Sequence, residues 1–253
     1  MGKNQAIEEA EAMDEFVGLG LVDEVLGLIK TGKEANVYLC SGGGRAPAPL
    51  LAAKVYRSTK VRQFADSAAY TPGRREEWFR AGMKRREMRA MEKRSRGGRE
   101  LSFALWVNTE HETLQLLHAA GADVPRPLTC AADVLLMEFL GDEDAPALTL
   151  NRVTPEREEA ERWFERLLDN IELWLAHNRI HADLSPFNIV CWQGAVHVID
   201  FPQAVDPRFS QKAHELLARD VDNVCRFFTR YGVRADPTRL ADNLWFRFVR
   251  GDL

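Results

Sequence analysis

The chain has 253 residues, of which 45% are hydrophobic and 28% charged, with a net charge of −4. This is ordinary composition for a globular protein, and enough length for one large domain or two lobes around a cleft. The small negative charge excludes a global pull toward nucleic acid and leaves only local patches; no apolar run approaches the length of a membrane span. Cys40, Cys130, Cys191 and Cys225 are far apart and form no C-x-x-C pair. They predict reduced thiols rather than a zinc site or a disulfide frame. The acidic N-terminus lacks an apolar segment, so a cytoplasmic chain without a signal peptide is expected.

Residues 1–13 are polar, and residues 14–29 are dense in Phe, Val, Leu and Ile. The pattern predicts a short helix leading into a strand, with 1–28 forming a helical extension. From Ile29 to Leu39 a hairpin is expected, with its tight turn at Gly32. Thr31-Gly32-Lys33-Glu34-Ala35-Asn36-Val37 matches neither G-x-x-x-x-G-K-[ST] nor G-x-G-x-x-G. It reads either as an ordinary hairpin or as a cover for phosphates. Leu50 to Arg57 is a short strand with one lysine, Lys54, inside an apolar run. Burying an unpaired ammonium is costly. Lys54 therefore either points out of an edge strand or grips phosphates, as the V-A-I-K lysine does.

Between Arg74 and Arg99 lie eleven Arg or Lys and four Glu, with Trp78, Phe79 and three Met interleaved. Two readings compete, a solvated helix face and a surface for RNA or a ribosomal particle. Gly97-Gly98 suggests a break. Leu101 to Ala120 is predicted as a helix ended by Gly121, with Leu101, Ala104, Leu105, Val107, Leu114, Leu116 and Leu117 facing the core. Glu110 is the expected partner of Lys54, with Glu112 as fallback. Val134 to Leu140 is an apolar strand, and a boundary between lobes is expected near residue 141. Lobes of 29–140 and 141–253 follow from that boundary.

Thr154 as N-cap and Pro155 open a long helix. Its stripe of Trp163, Phe164, Leu167, Leu168, Ile171, Trp174 and Leu175 reads as core. The helix delivers the chain to His181-Ala182-Asp183-Leu184-Ser185-Pro186-Phe187-Asn188. Ile189–Trp192 and Val196–Ile199 flank Gln193-Gly194 as a hairpin that exits at Asp200. An acid, an Asn five residues later and a second acid after an apolar strand form the kit that phosphoryl transfer needs. One carboxylate meets the attacking hydroxyl or water, and an amide oxygen with another carboxylate holds Mg²⁺ against phosphates. Taken singly, Asp183 reads as a turn cap and Asp200 as a strand end. His181 is expected to orient the loop. A helical segment over 210–230 follows directly, with Asp220 and Asp222 read as capping or ion-pair residues. No A-P-E appears. Leu240 to Val249 is a last amphipathic helix.

Four pieces together resemble the RIO family of atypical serine protein kinases. They are Thr31 to Tyr38, Ala53-Lys54-Val55-Tyr56, His181 to Asn188, and Ile199-Asp200-Phe201-Pro202-Gln203-Ala204-Val205. The resemblance runs from about Ile29 to Tyr231 and is nearest the subfamily without an N-terminal winged helix. It is compatible with a bacterial relative that has a different partner. It implies an α+β, two-lobed protein-kinase-like fold with a small β-rich N-lobe, a mostly helical C-lobe and no activation segment. It further implies ATP with Mg²⁺ (or Mn²⁺), Lys54 on phosphates and Asp183 as catalytic base, with Asn188 and Asp200 on the metal. Thr31, Gly32, Lys33, Glu34, Ala35, Asn36 and Val37 would cover the triphosphate. Met137, Glu138, Phe139 and Leu140 would line the adenine site. The expected activity is serine/threonine phosphorylation, of a protein substrate or of itself, or ATP hydrolysis. Two alternatives are a nucleotide-gated module binding RNA or a ribosomal particle through 74–99, and a small-molecule kinase of the aminoglycoside or choline type. One departure stands out: the family usually has Gly where this chain has Ala182.

Overall fold

The computed structural model describes residues 13–57, 83–93, 95–131 and 133–253. The part of the basic tract before residue 83, and Arg94, lie outside the described residues, as does most of the 1–13 segment. The fold is α+β, and the chain divides into two compact units. Among the described residues one unit takes 13–57, 85–111 and 125–146. The other takes 83–84, 112–124 and 147–253.

The first unit is built on a five-stranded sheet. Its strands are β1 (Val22–Thr31), β2 (Ala35–Gly42), β3 (Leu50–Tyr56), β4 (Pro127–Ala131) and β5 (Val134–Glu138), in the spatial order β1-β2-β3-β5-β4. All neighbours are antiparallel. Residues 13–18 are helical, but β1 already begins at Val22, inside the stretch expected to be a helical extension. The two prolines of Val124-Pro125-Arg126-Pro127 give no strand signal ahead of β4; Pro127 opens the strand at the sheet edge, where its missing N–H costs little. Alternation along β3 sorts the faces. Leu51, Ala53 and Val55 pack with Met13, Phe16, Val22, Cys40, Val134 and Leu136 into one apolar core. Ala52, Lys54 and Tyr56 take the other face.

Among the described residues, the next elements after β3 are the helices α1 (Arg85–Glu92) and α2 (Arg96–Ala119). Gly97-Gly98 is not a break; both residues lie in the first turn of α2, and the interruption falls before it. Gly98 sits where an added Cβ would meet the Ala90 carbonyl oxygen at 2.0 Å. Along α2, Val107, Leu114 and Leu117 are buried, but Leu116 faces solvent, contrary to expectation. Gly121, at φ +86°, follows its end.

The second unit is mainly helical. It contains β6 (Leu148–Thr149), a 3₁₀ turn at Leu150–Arg152, α3 (Arg157–Ala176), β7 (Ile189–Trp192), β8 (Ala195–Val198), α4 (Ala213–Thr229) and α5 (Pro237–Arg250). Helix α3 starts later than expected: the cap is Glu156, without a side-chain cap bond, and not Thr154. The apolar stripe of α3 is buried as expected, with Leu168 partly exposed. Its C-terminus closes with Asn178 at φ +57°, the Asn178 N–H donating to Leu175 O at 2.9 Å and the Arg179 N–H to Trp174 O at 2.8 Å. This is a Schellman closure, and it sets the direction in which the chain enters His181 to Asn188. The β7–β8 hairpin turns through Gln193 and Gly194, both at positive φ, as a two-residue turn requires. After α2, Asp123 accepts from Arg166 Nε at 2.5 Å and Asn170 Nδ2 at 2.7 Å, and its carbonyl oxygen accepts from the Val198 N–H. No described helix is long and apolar enough to cross a membrane.

Candidate functional site

In the first unit the feature is Lys54. Its strand is the centre of the sheet, with Val37 and Leu135 as cross-strand neighbours, so the edge-strand reading of this lysine is excluded. The side chain is buried, and Nζ lies 2.8 and 2.9 Å from the two carboxylate oxygens of Glu110. Glu110 is 1% exposed, and the Lys54 ammonium stands 5.0 Å from the centre of the Tyr56 ring. Glu112, the fallback partner, is exposed. A buried ion pair of this geometry fixes both the lysine rotamer and the turn of α2 that carries Glu110 against the sheet.

The Thr31–Val37 hairpin is tight. The Gly32 N–H donates to Ala35 O at 2.8 Å, and a Cβ on Gly32 would meet that oxygen at 2.9 Å. Thr31 and Lys33 are exposed, while Ala35 and Asn36 are buried. The Asn36 amide oxygen accepts from Arg57 Nη2 at 2.5 Å, tying the hairpin to the end of β3. Asn36 therefore reads as the tip's anchor. Of the strand-end residues, Phe139 is buried and Met137, Glu138 and Leu140 are partly exposed. The Glu138 carboxylate accepts from the Arg126 N–H at 3.0 Å.

The second unit brings His181, Asp183, Asn188 and Asp200 together. Asn188 Nδ2 donates to the Asp183 carbonyl oxygen at 3.0 Å, and its N–H donates to Ser185 O at 2.9 Å. The Ile199 N–H donates to the Asn188 carbonyl oxygen at 2.9 Å, so the residue before Asp200 is bonded to Asn188. His181, 1% exposed, places Nδ1 3.3 Å from the Asp183 N–H and Nε2 3.2 Å from Ile199 O. Accepting at Nδ1 and donating at Nε2 assigns the neutral Nε2–H tautomer. The ring also packs on Phe201 at 4.5 Å, and Phe201 packs on Trp174 at 5.4 Å. One imidazole thus links the loop of Asp183 to the strand exit at Asp200.

Two residues here hold left-handed backbone, Ala182 at φ +65° and Asp200 at φ +73°. A non-glycine residue there costs on the order of 1 kcal/mol, so the surroundings must hold it. For Ala182 the hold comes from α4. The Asp220 carboxylate accepts from the Ala182 N–H at 2.7 Å and from the Leu184 N–H at 3.0 Å, on either side of Asp183. Arg219 donates to the Ala182 carbonyl oxygen, and Asn223 Nδ2 to Leu184 O at 2.8 Å. Sequence reasoning gave Asp220 only a capping or ion-pair part; Asp222 does form the ion pair, with Arg226. A signal was present: Leu217, Val221, Val224 and Phe228 form one apolar stripe, and Asp220 lies within it. An acid on a buried helix face needs donors from elsewhere in the fold.

The electrostatics follow from burial. Burial raises the Asp220 carboxyl to about 7, against the opposing pull of its two N–H donors and of Arg219. Asp183 is exposed, yet local desolvation and then the charge of Asp200 push its carboxyl up, while Arg219 works the other way. No cluster of three or more His, Cys, Asp or Glu suited to a metal exists among the described residues. Asn188 and Asp200 supply an amide oxygen and one carboxylate. That donor set fits Mg²⁺ completed by phosphate oxygens rather than an all-protein cage.

The family model described as the RIO domain matches residues 36–240. The chain is 34% identical over 215 residues to "Serine/threonine-protein kinase RIO1" of Caenorhabditis elegans, covering 85% of this chain but 39% of that protein. It is 33% identical over 245 residues to "RIO-type serine/threonine-protein kinase Rio1" of Haloferax volcanii, covering 95% and 74%. Among solved structures it is similar to the Rio2 kinase of Chaetomium thermophilum in an ADP/Mg²⁺-phosphoaspartate complex. That likeness has a TM-score of 0.65 at 22% identity and covers 92% of this chain and 64% of the other. The buried Lys54–Glu110 pair and the Asp183 loop are thus set in a RIO-type kinase fold, and the chain belongs to the RIO domain family.

Proposed function

We propose that this chain catalyses Mg-ATP-dependent phosphoryl transfer, as a RIO-type serine/threonine kinase or ATPase. The observation that carries the reading is the bonded set of His181, Asp183, Asn188 and the Ile199-Asp200 exit. Asp183 has its backbone clamped on both sides and its carboxylate open to solvent. In this reading Asp183 orients the acceptor hydroxyl or water and takes up its proton. Asn188 and Asp200 hold Mg²⁺, or Mn²⁺, which neutralises phosphate charge. Lys54, kept in place by Glu110, binds phosphate oxygens. Thr31–Val37 covers the triphosphate, chiefly through backbone, and Met137–Leu140 lines the adenine site. Residues 29–140 and 141–253 are taken as the functional lobes. Most of the acceleration then comes from positioning and electrostatics.

The test is Asp183→Asn assayed with labelled ATP, scoring protein-bound label and free phosphate separately. Turnover is expected to fall at least about a hundredfold, with nucleotide binding retained. Turnover at the wild-type rate would refute the assignment. The split between the two products decides whether transfer to a protein, including itself, or hydrolysis dominates. The phosphoaspartate in the Chaetomium thermophilum complex supports following label on Asp200 as well.

A second reading has one observation in its favour. Lys84, Arg85, Arg86, Arg89 and Lys93 are all exposed. The 74–99 tract then serves as a contact for RNA or a ribosomal particle, with nucleotide as a conformational ligand. Salt-sensitive RNA binding that disappears when 74–99 is neutralised supports it; no RNA affinity at low salt removes it.

A further inference from the structure

The segment after Asp200 carries a charge cluster that the proposed nucleotide site does not use. Ile180 and Val205 exchange both backbone hydrogen bonds, each 3.0 Å, bridging the stem of the Asp183 loop to the chain beyond Asp200. Asp206 follows and is 3% exposed. It opens a turn with Pro207 in second place. The Phe209 N–H donates to Asp206 O at 3.2 Å, and the Arg208 N–H donates to Asp206 Oδ1 at 2.9 Å. The carboxylate also accepts from Arg208 Nε at 3.0 Å and Nη2 at 2.6 Å, and Arg179 Nη1 stands 3.7 Å from Oδ2. Arg179 belongs to the Schellman closure of α3 and directly precedes Ile180.

A turn of this type asks only for a side-chain oxygen on its first residue. Burying a full negative charge there is costly, and two guanidiniums offset it. One of them reaches back across the Ile180–Val205 bridge. The charge contact, unlike the turn's oxygen, therefore spans the two loops.

We propose that Asp206, through Arg179 and Arg208, is a positioning residue for phosphoryl transfer. Its side chain, built into the sequence, locks the stem of the Asp183 loop to the segment after Asp200. In kinases with an activation loop, an added phosphate paired with arginine does comparable ordering. The inference rests on the reading of Asp183 and Asp200 given above.

The decisive comparison is Asp206→Asn with Arg179→Met. Asp206→Asn keeps the oxygen the turn needs and removes the charge. Arg179→Met removes the cross-bridge, together with the bond that Arg179 Nη1 donates to Asn178 O at 2.9 Å, and leaves the Asp206–Phe209 turn intact. Both are expected to lower kcat about tenfold to a hundredfold with KM for ATP unchanged, and Arg179→Lys is expected to recover part of the loss. Wild-type kcat in both variants overturns the proposal and leaves Asp206 a turn residue. Loss of the folded state in both, read by far-UV circular dichroism, assigns the cluster to stability alone and overturns it equally. Asp183→Asn in the same assay separates the failures: if that variant is inactive, the result on Asp206 stands by itself, and if it is active, the phosphoryl-transfer reading falls and the inference with it.

Discussion

The sheet unit and the helical unit hold their key charges in opposite ways. Lys54 sits mid-strand in ordinary extended backbone, is buried, and is held by a side chain, Glu110. Asp183 is exposed and sits beside a residue in left-handed backbone; the loop is held through its peptide groups by Asp220, Arg219 and Asn223. On the proposed reading Lys54 only binds, and such a cation can be locked by its partner. On the same reading Asp183 meets a proton and has to keep its own oxygens available, and the fold grips the main chain around it.

The comparison breaks most severely at Glu110. Glu110→Gln leaves a buried ammonium without its counter-charge, which costs about 3 kcal/mol or more. A clear drop in the denaturant midpoint is expected; an unchanged midpoint means that water reaches Lys54. Asp220→Asn comes next. It keeps one acceptor and loses the other, for about 2 kcal/mol, and lowers turnover because the hold on Asp183 loosens. Its sign with pH is defined. Burial raises the folded-state carboxyl to about 7 from 3.8, so the folded protein binds this proton more tightly than the unfolded chain does. The contribution of Asp220 to stability is therefore largest below the unfolded value and declines as pH rises toward 7. The stability of wild type relative to Asp220→Asn should fall over that window; a rise shows that the N–H bonds and Arg219 outweigh burial. The smallest effect is expected at Ala182→Gly, where relief of the left-handed strain exceeds the added unfolded-state entropy by some tenths of a kcal/mol, roughly. Thermal melting with a matched control, Ala160→Gly inside α3, reads the difference: the control should lose stability where Ala182→Gly does not.

Much of this was legible in the chain itself. Lys54 stood out because an ammonium inside an apolar strand demands a partner, and Glu110 was the acid at the right place on the following helix. The Asp183, Asn188 and Asp200 set was legible from spacing, and the hairpin from Gln193-Gly194. What escaped reading depends on partners remote in sequence. Asp220 looks like any helical acid until the loop it bonds is placed 36 to 38 residues away. Thr154 is a good cap by residue type, yet the helix starts beyond it because the chain around Pro155 is extended. Leu116 is apolar but lies off the stripe that Val107, Leu114 and Leu117 bury. Composition cannot show which side of a helix a neighbour will cover.

The enclosure of Lys54 has a chemical corollary. An ammonium that is protonated, hydrogen-bonded and 8% exposed offers no lone pair to an electrophile. Acylating or carbamylating reagents should therefore modify it only when this part of the sheet opens, well after the solvent-facing Lys84 and Lys93. The rate at which that amine becomes blocked then serves as a clock for breathing in the β-rich half of the molecule.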